Sequence, residues 1–150
     1  MIKDELQEQL SVMVTAATFE DGTEWLTMAV DPVSWKSLAQ MLRNVPFEFD
    51  YLFCLTCVDW KTHLTVVYHL SSTIHRHTMV IKAKLDREAP KIETVSDIWR
   101  TAEFHEREVY DLFGVNFTYH PDLRRLILTD DFEGHPLRKD FEDPVNMIRL

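Results

Sequence analysis

Residues 103–141, EFHEREVYDLFGVNFTYHPDLRRLILTDDFEGHPLRKDF, constrain the chain more than any other stretch, because they join two unlike patterns at a single glycine. Up to Gly114, the residues Ile98, Ala102, His105, Val109 and Leu112 or Phe113 recur at helical spacing. Gly114 sits where a glycine commonly closes a helix. Beyond it, Pro121 and Pro136 interrupt any regular element, and Arg124, Arg125, Arg138 and Lys139 alternate with Asp122, Asp130, Asp131 and Asp140. The same segment holds Phe117, Leu126, Ile127, Phe132 and Phe141, too many large apolar residues for a disordered tail. His120 and His135 each precede a proline, which biases them to extended backbone. The expectation is a segment lying extended on a surface. Some 25 residues so extended reach roughly 80 Å at about 3.3 Å each, more than the chain's own body needs, so part of that surface belongs to a partner.

One hundred and fifty residues suit one domain with a substantial core. A net charge of −9 argues against the cationic footprint that nucleic acid demands. No apolar run approaches the roughly 20 residues of a membrane span. The acidic start, MIKDELQEQL, has neither the apolar core of a secretory signal nor the arginines of a transit peptide, so an intracellular chain is expected. Two cysteines are too few for a disulfide scaffold.

The body before Gly114 reads as α+β. Residues 2–10 suggest a short helix with Ile2, Leu6 and Leu10 on one side, and residues 12–19 and 24–30 a hairpin about Asp21-Gly22. Asp31-Pro32 opens a second helix, with Trp35, Leu38, Met41 and Leu42 beside Val33, ending near Asn44. Residues 47–60 are expected to give a turn of helix and then a strand near Leu55–Trp60. Residues 64–70 and 77–85 are strands, the second alternating between Met79, Ile81, Ala83, Leu85 and Thr78, Val80, Lys82, Lys84. Ser96 is the expected N-cap of a helix over 97–113, along which Glu103–Arg107 and Arg107–Asp111 are spaced to pair. The predicted architecture is a small mixed or antiparallel sheet covered by helices, with a compact domain over 1–114 and an extended partner-binding tail over 115–150.

Motifs of independent chemistry are weak. Cys54 and Cys57 have CxxC spacing but lie in an apolar run, and four cysteines are not available. His75 and His77 would share a face of an extended segment but lack neighbouring ligands at metal spacing. HEREV from His105 fails as a zinc motif because Val109 stands where the second histidine is needed. Glu106 and Glu108 fall on different helical faces, and three glycines leave no phosphate-binding loop.

EREVYDLFGVNF, followed by HPDLRRLILTDDFEGHPLRKDF, resembles the C subunit (30 kDa type) of proton-pumping NADH:quinone oxidoreductase, respiratory complex I, and is similar to the J subunit of plastid and cyanobacterial complexes. The ordered match covers 106–141. It departs after Phe141, where the family commonly places proline and this chain has Glu142-Asp143-Pro144.

The resemblance implies a hydrophilic, cofactor-free, non-catalytic subunit, peripheral on the cytoplasmic side of the bacterial inner membrane and attached to it only through the complex. It would scaffold the quinone module against the D subunit, near the iron–sulfur B and I subunits. NADH, FMN, iron–sulfur clusters and quinone would be bound by partners, and this chain would supply no metal or catalytic residue. Glu106, Arg107, Glu108, Asp111, Arg124, Arg125, Arg138, Lys139 and Asp140 match the family pattern and are the expected interface residues, with the arginines forming bidentate ion pairs that fix the tail to helix and partner. Two alternatives are the equivalent subunit of a membrane-bound hydrogenase or ferredoxin-dependent complex, and a small thiol-redox or metal enzyme using Cys54, Cys57 and the histidines.

Overall fold

The computed structural model describes residues 3–14, 18–20 and 22–142. Helix α1 (Lys3–Met13) sets Leu6 and Leu10 one above the other and buries both; Ile2 and Asp21 lie outside the described residues. Val12 and Met13 belong to this helix rather than to a strand. The hairpin is therefore short: β1 (Thr18–Glu20) pairs antiparallel with β2 (Leu26–Val30), Phe19 facing Met28.

Asp31 accepts a hydrogen bond from the Val33 N–H at 3.0 Å, forming a turn that precedes α2 (Trp35–Arg43). The later start leaves Val33 exposed and makes Trp35, Ala39 and Leu42 the buried stripe. The Glu48 N–H donates to the Asn44 carbonyl at 2.9 Å, closing one turn before residue 49, and β3 (Tyr51–Asp59) begins four residues before the expected Leu55. Its partner β4 (His63–Ser71) offers pairing from Leu64 to Ser71, and β3 uses all of it with one irregularity between Leu52 and Cys54. Strand β5 (Thr78–Asp86) pairs antiparallel with β4 and parallel with β2, so the five strands run β1-β2-β5-β4-β3 in a mixed sheet.

The last helix, α3 (Ala102–Phe113), is shorter than its periodicity suggests. Val95 accepts from the N–H groups of Ile98 and Trp99 in a tight turn, and the Trp99 indole donates to the Phe49 carbonyl at 2.7 Å, which commits residues 95–99 to the core edge instead of a helix. Ser96 caps nothing. Two short strands that have no periodic signal, β6 (Lys91–Glu93) and β7 (Asn116–Thr118), pair parallel beside α3.

Helical Leu6, Leu10, Trp35, Ala39, Leu42, Val109 and Phe113 join Leu64, Val66, Tyr68, Leu70, Met79, Ile81, Ala83 and Leu85 in one core, so the helices cover one face of the sheet. Each of these large side chains fully buried stabilises the fold by about 1.5–3 kcal/mol. The core does not stop at Gly114, since Val115 and Phe117 are enclosed within it.

Candidate partner-docking surface

Helix α3 has its inner face in the core and its flank under the tail, and the carboxylate of Asp111 is the first of several ties between helix and tail. Asp111 Oδ2 accepts hydrogen bonds from three successive backbone N–H groups, Leu126 at 3.2 Å, Ile127 at 2.7 Å and Leu128 at 2.9 Å. Arg125 Nη1 donates to Oδ1 at 2.8 Å and to the Asp111 carbonyl at 3.1 Å. The carboxyl is fully enclosed, at 0% exposure. Burial pushes its pKa up, yet the three N–H groups and Arg125 together hold it below the usual carboxylate value.

A second clamp lies one turn earlier. Arg107 is buried, and its planar guanidinium donates from Nε to the Arg124 carbonyl at 3.1 Å and from Nη2 to the Arg125 carbonyl at 3.0 Å. The expected helix pairs of Arg107 with Glu103 and Asp111 do not form, because both Arg107 and Asp111 face the tail. His120 Nε2 meets the Glu103 carbonyl at 3.0 Å, so the tail enters at the start of α3 and follows it to Asp111.

There the chain turns back. Arg125 Nη2 reaches the Gly134 carbonyl at 2.9 Å, His135 Nδ1 lies 3.1 Å from the Asp111 carbonyl, the Leu137 N–H donates to Leu112 at 3.0 Å, and Arg138 Nε donates to the Phe113 carbonyl. Gly114 makes this return possible in two ways. Its φ of +80° suits glycine, and a Cβ there would stand 2.6 Å from the His135 ring. At the far end, the Lys139 N–H donates to Asp59 Oδ2 at 2.8 Å, and Arg87 bonds Asp59 while reaching Asp140 at 3.1 Å. The Arg87 hydrogen bond, outweighing burial, holds Asp59 well below its usual pKa.

The described tail is thus folded back over α3 rather than laid out in one extended path. Of the nine expected interface residues, the structure encloses Glu106, Arg107 and Asp111 within the chain and half-buries Arg125 and Arg138. Glu108, Arg124, Lys139 and Asp140 remain exposed. Arg124 pairs with Asp122 at 3.0–3.1 Å on the surface. Bidentate contact to a carboxylate is not how these arginines work: Arg124 meets Asp122 through Nε alone, Arg107 grips two carbonyls and Arg125 divides its donors between Asp111 and two carbonyls. Asp59 and Arg87 escape sequence reading, since the only local hint is a carboxylate at a strand end followed by Trp60-Lys61.

Around the exposed charges stand apolar side chains that the tail leaves uncovered. Phe104 is 57% exposed, Ile127 61% and Tyr119 85%, with Leu126 and Leu137 also exposed. Arg107 lies 5.7 Å from the centre of the Phe104 ring and supports it from below. The result is a firm surface of apolar and charged groups built on α3 and the tail.

The cysteines and histidines offer a different picture. Cys54 is opposite His69 and Cys57 opposite Val66 on β4, so the two thiols lie on opposite faces of β3. Burial pushes the Cys57 thiol up to about 12 and raises Cys54 as well, leaving neither as a ready thiolate. His75 Nε2 lies 2.8 Å from Glu48, and His77 Nε2 3.2 Å from the Phe47 carbonyl. Among the described residues no three His, Cys, Asp or Glu side chains converge as a metal donor set. These residues do not fit an iron–sulfur cluster. No helix among the described residues is long and apolar enough to cross a membrane.

Residues 28–145 match the family described as respiratory-chain NADH dehydrogenase, 30 Kd subunit. The chain is 50% identical over 105 residues to the C/D subunit of the NADH-quinone oxidoreductase of Phocaeicola vulgatus, covering 69% of this chain and 20% of that protein. It is 41% identical over 112 residues to the NADH-quinone oxidoreductase C subunit of Chloroherpeton thalassium, covering 73% and 47% respectively. It therefore spans about a fifth of the first relative and about half of the second. Against the corresponding C subunit of Chlorobium phaeobacteroides the identity is 39%, with 75% of this chain and 70% of that protein covered. In solved structures, the fold superposes on a trypsin-resistant fragment of Nqo5 with a TM-score of 0.68 at 28% identity, covering 80% of this chain and 98% of the fragment. It also superposes on a chain of an archaeal membrane-bound sulfane sulfur reductase, TM-score 0.80 at 27% identity, covering 93% and 85%.

Proposed function

The chain belongs to the respiratory-chain NADH dehydrogenase 30 kDa subunit family, and from that premise we propose that it is a non-catalytic scaffold of the peripheral arm of a proton-pumping NADH:quinone oxidoreductase. Its docking surface is the outer face of α3 together with the folded tail, and its partner there is the quinone-site D subunit. The observation that carries this reading is the arrangement around Asp111, which spends a buried charge on holding Leu126, Ile127 and Leu128 in place while leaving Ile127 exposed. A buried carboxylate so fully paired organises its surroundings, and what it organises here is an apolar surface ready for a partner. The C/D designation of relatives that this chain matches only in part supports D as the neighbour.

In this role the exposed groups Phe104, Glu108, Arg124, Ile127, Lys139 and Asp140 make the direct contacts, and Glu106, Arg107, Asp111, Arg125 and Arg138 act through the surface they position. NADH, FMN, iron–sulfur clusters and quinone are bound by other subunits, with B and I nearby, and the chain reaches the cytoplasmic face of the membrane through the complex alone. A fold pre-formed before docking limits the ordering cost, about 1–2 kcal/mol per residue fixed.

A second reading follows from the likeness to the sulfane sulfur reductase: the same scaffold in a respiratory membrane complex with a different electron acceptor or donor. Affinity purification of the tagged chain from its native membranes in mild detergent, with copurifying proteins identified and iron quantified, separates the two. Recovery with D, B, I and NADH-oxidising subunits is expected. Recovery with hydrogenase- or sulfur-reductase-type partners selects the second reading, and a partner-free chain contradicts both.

A further inference from the structure

We propose that Glu106 is a buried proton-binding site, connected to solvent through the hydroxyls of Thr94 and Ser96. Glu106 stands on the inner face of α3 with no exposed surface. Its Oε2 accepts the Val95 N–H at 3.2 Å, and both carboxyl oxygens contact Thr94 Oγ1, Oε2 at 3.1 Å and Oε1 closer still. Thr94 Oγ1 also lies 2.8 Å from Ser96 Oγ and accepts the Ser96 N–H at 3.1 Å. Thr94 and Ser96 line an open groove shared with Lys36, Asp97 and Glu103.

Thr94 has one hydroxyl proton and cannot donate to Ser96 and Glu106 together. When Glu106 is ionised, Ser96 donates to Thr94 and Thr94 donates to the carboxylate. When Glu106 is protonated, the carboxyl donates to Thr94, Thr94 to Ser96, and Ser96 to water in the groove. Either state satisfies every hydroxyl without moving a heavy atom. A proton therefore enters by three transfers, groove water to Ser96, Ser96 to Thr94 and Thr94 to Glu106, and leaves by the reverse, each hydroxyl giving up one proton as it takes another.

The surroundings decide which state holds near neutrality. Asp111, five residues along the same helix, has three N–H groups and an arginine on its oxygens. Glu106 has one N–H and one hydroxyl. Lys36 of α2 is the cation nearest in kind, but its ammonium is engaged by the Thr94 carbonyl, Asp97 and Glu93. Asp97 adds an opposing charge from the turn before α3. From the sheet, the fully buried phenol of Tyr68 on β4 faces Glu106, and burial raises its pKa. Burial above all lifts Glu106 from 4.5 to about 8 despite the Thr94 and Val95 hydrogen bonds. Two buried carboxyls on one helix thus take opposite charge states.

Isotope-edited infrared spectroscopy of the full chain labelled in the glutamate carboxyl tests this. A band of protonated carboxyl is expected in the folded wild type at about pH 6, where ordinary glutamates are ionised. It should disappear with a midpoint of about 8 and be missing from Glu106→Gln, whose amide can both donate to Thr94 and accept from Val95. Thr94→Val, which removes the hydroxyl donor to the carboxylate, should move the midpoint upward; this second variant carries the test if Glu106→Gln does not fold. A wild type without the band, a band retained in Glu106→Gln, or a midpoint that Thr94→Val leaves in place or lowers overturns the proposal.

Discussion

Asp111 and Arg125 lie fourteen residues apart in sequence and 2.8 Å apart in space, and between them they fix where the tail leaves α3 and where it returns. Asp111 gathers the backbone of 126–128, while Arg125 reaches on to the Gly134 carbonyl. Removing the carboxylate strands the half-buried guanidinium and three N–H groups at once. Asp111→Ala is expected to destabilise the chain by roughly 3 kcal/mol and to expose residues 119–142 to protease before the sheet. Denaturant unfolding together with timed proteolysis measures both, and a tail that stays protected contradicts this role of Asp111.

The Arg107 clamp depends on a planar fork rather than on charge alone. Arg107→Lys keeps the charge but cannot span the carbonyls of Arg124 and Arg125 in the same way. A loss of about 1–2 kcal/mol is expected, seen as a lower denaturant midpoint with an unchanged slope. A lysine variant as stable as the wild type would show that the charge suffices.

Gly114→Ala meets two obstacles, a left-handed backbone and the His135 ring. The cost should be about 1–3 kcal/mol. Combining it with His135→Ala should recover the part due to the ring and leave the part due to φ, so a double-mutant cycle by thermal or denaturant unfolding distinguishes them. Strict additivity would place the whole cost in the backbone.

Acid should loosen the tail. The folded pKa values of Asp111 and Asp59 are depressed below the ordinary 3.8, so each contributes stability that is present above 3.8 and lost as pH falls through the folded values. Protection of the Ile127 and Lys139 amides from hydrogen exchange should decline over that acid range. In Asp59→Asn the Lys139 amide should lose protection already near neutral pH, while the Ile127 amide keeps it. Glu106 has the opposite sign: its folded value of about 8 exceeds 4.5, so its contribution is complete below 4.5 and lost as pH rises toward 8. Stability should fall over that upper range in the wild type more than in Glu106→Gln.

Much of this architecture is legible in the residues themselves. The alternation of Met79, Ile81, Ala83 and Leu85 gives β5 its inner face, and the spacing of Ala102, Val109 and Phe113 with Gly114 gives α3 and its end. The α+β class follows from such local patterns, which leave the sheet either mixed or antiparallel; the parallel pairing of β2 with the distant β5 makes it mixed. What local patterns cannot convey is how charges are enclosed. Glu106, Arg107 and Asp111 look like the polar side of a helix because their partners, Thr94 and the backbone of 124–128, are brought in by the fold. The same reason hides Asp59, whose donors come from Arg87 and Lys139. β6 and β7 are too short to show a period, and they exist because the chain before and after α3 runs side by side. The family resemblance rests on this segment, and the geometry divides its charged residues into buried groups and exposed ones.

In the proposed role the exposed face built on α3 and the tail receives the D subunit, and the affinity of purified D subunit for the full chain measures that contact. Phe104→Ala combined with Ile127→Asp removes apolar contact and adds charge at two exposed positions without touching the Asp111 and Arg107 side-chain hydrogen bonds. The double variant should fold as the wild type does and lose at least about tenfold in affinity, the equivalent of about 1.4 kcal/mol. A folded double variant that binds the D subunit as tightly as the wild type would contradict that role.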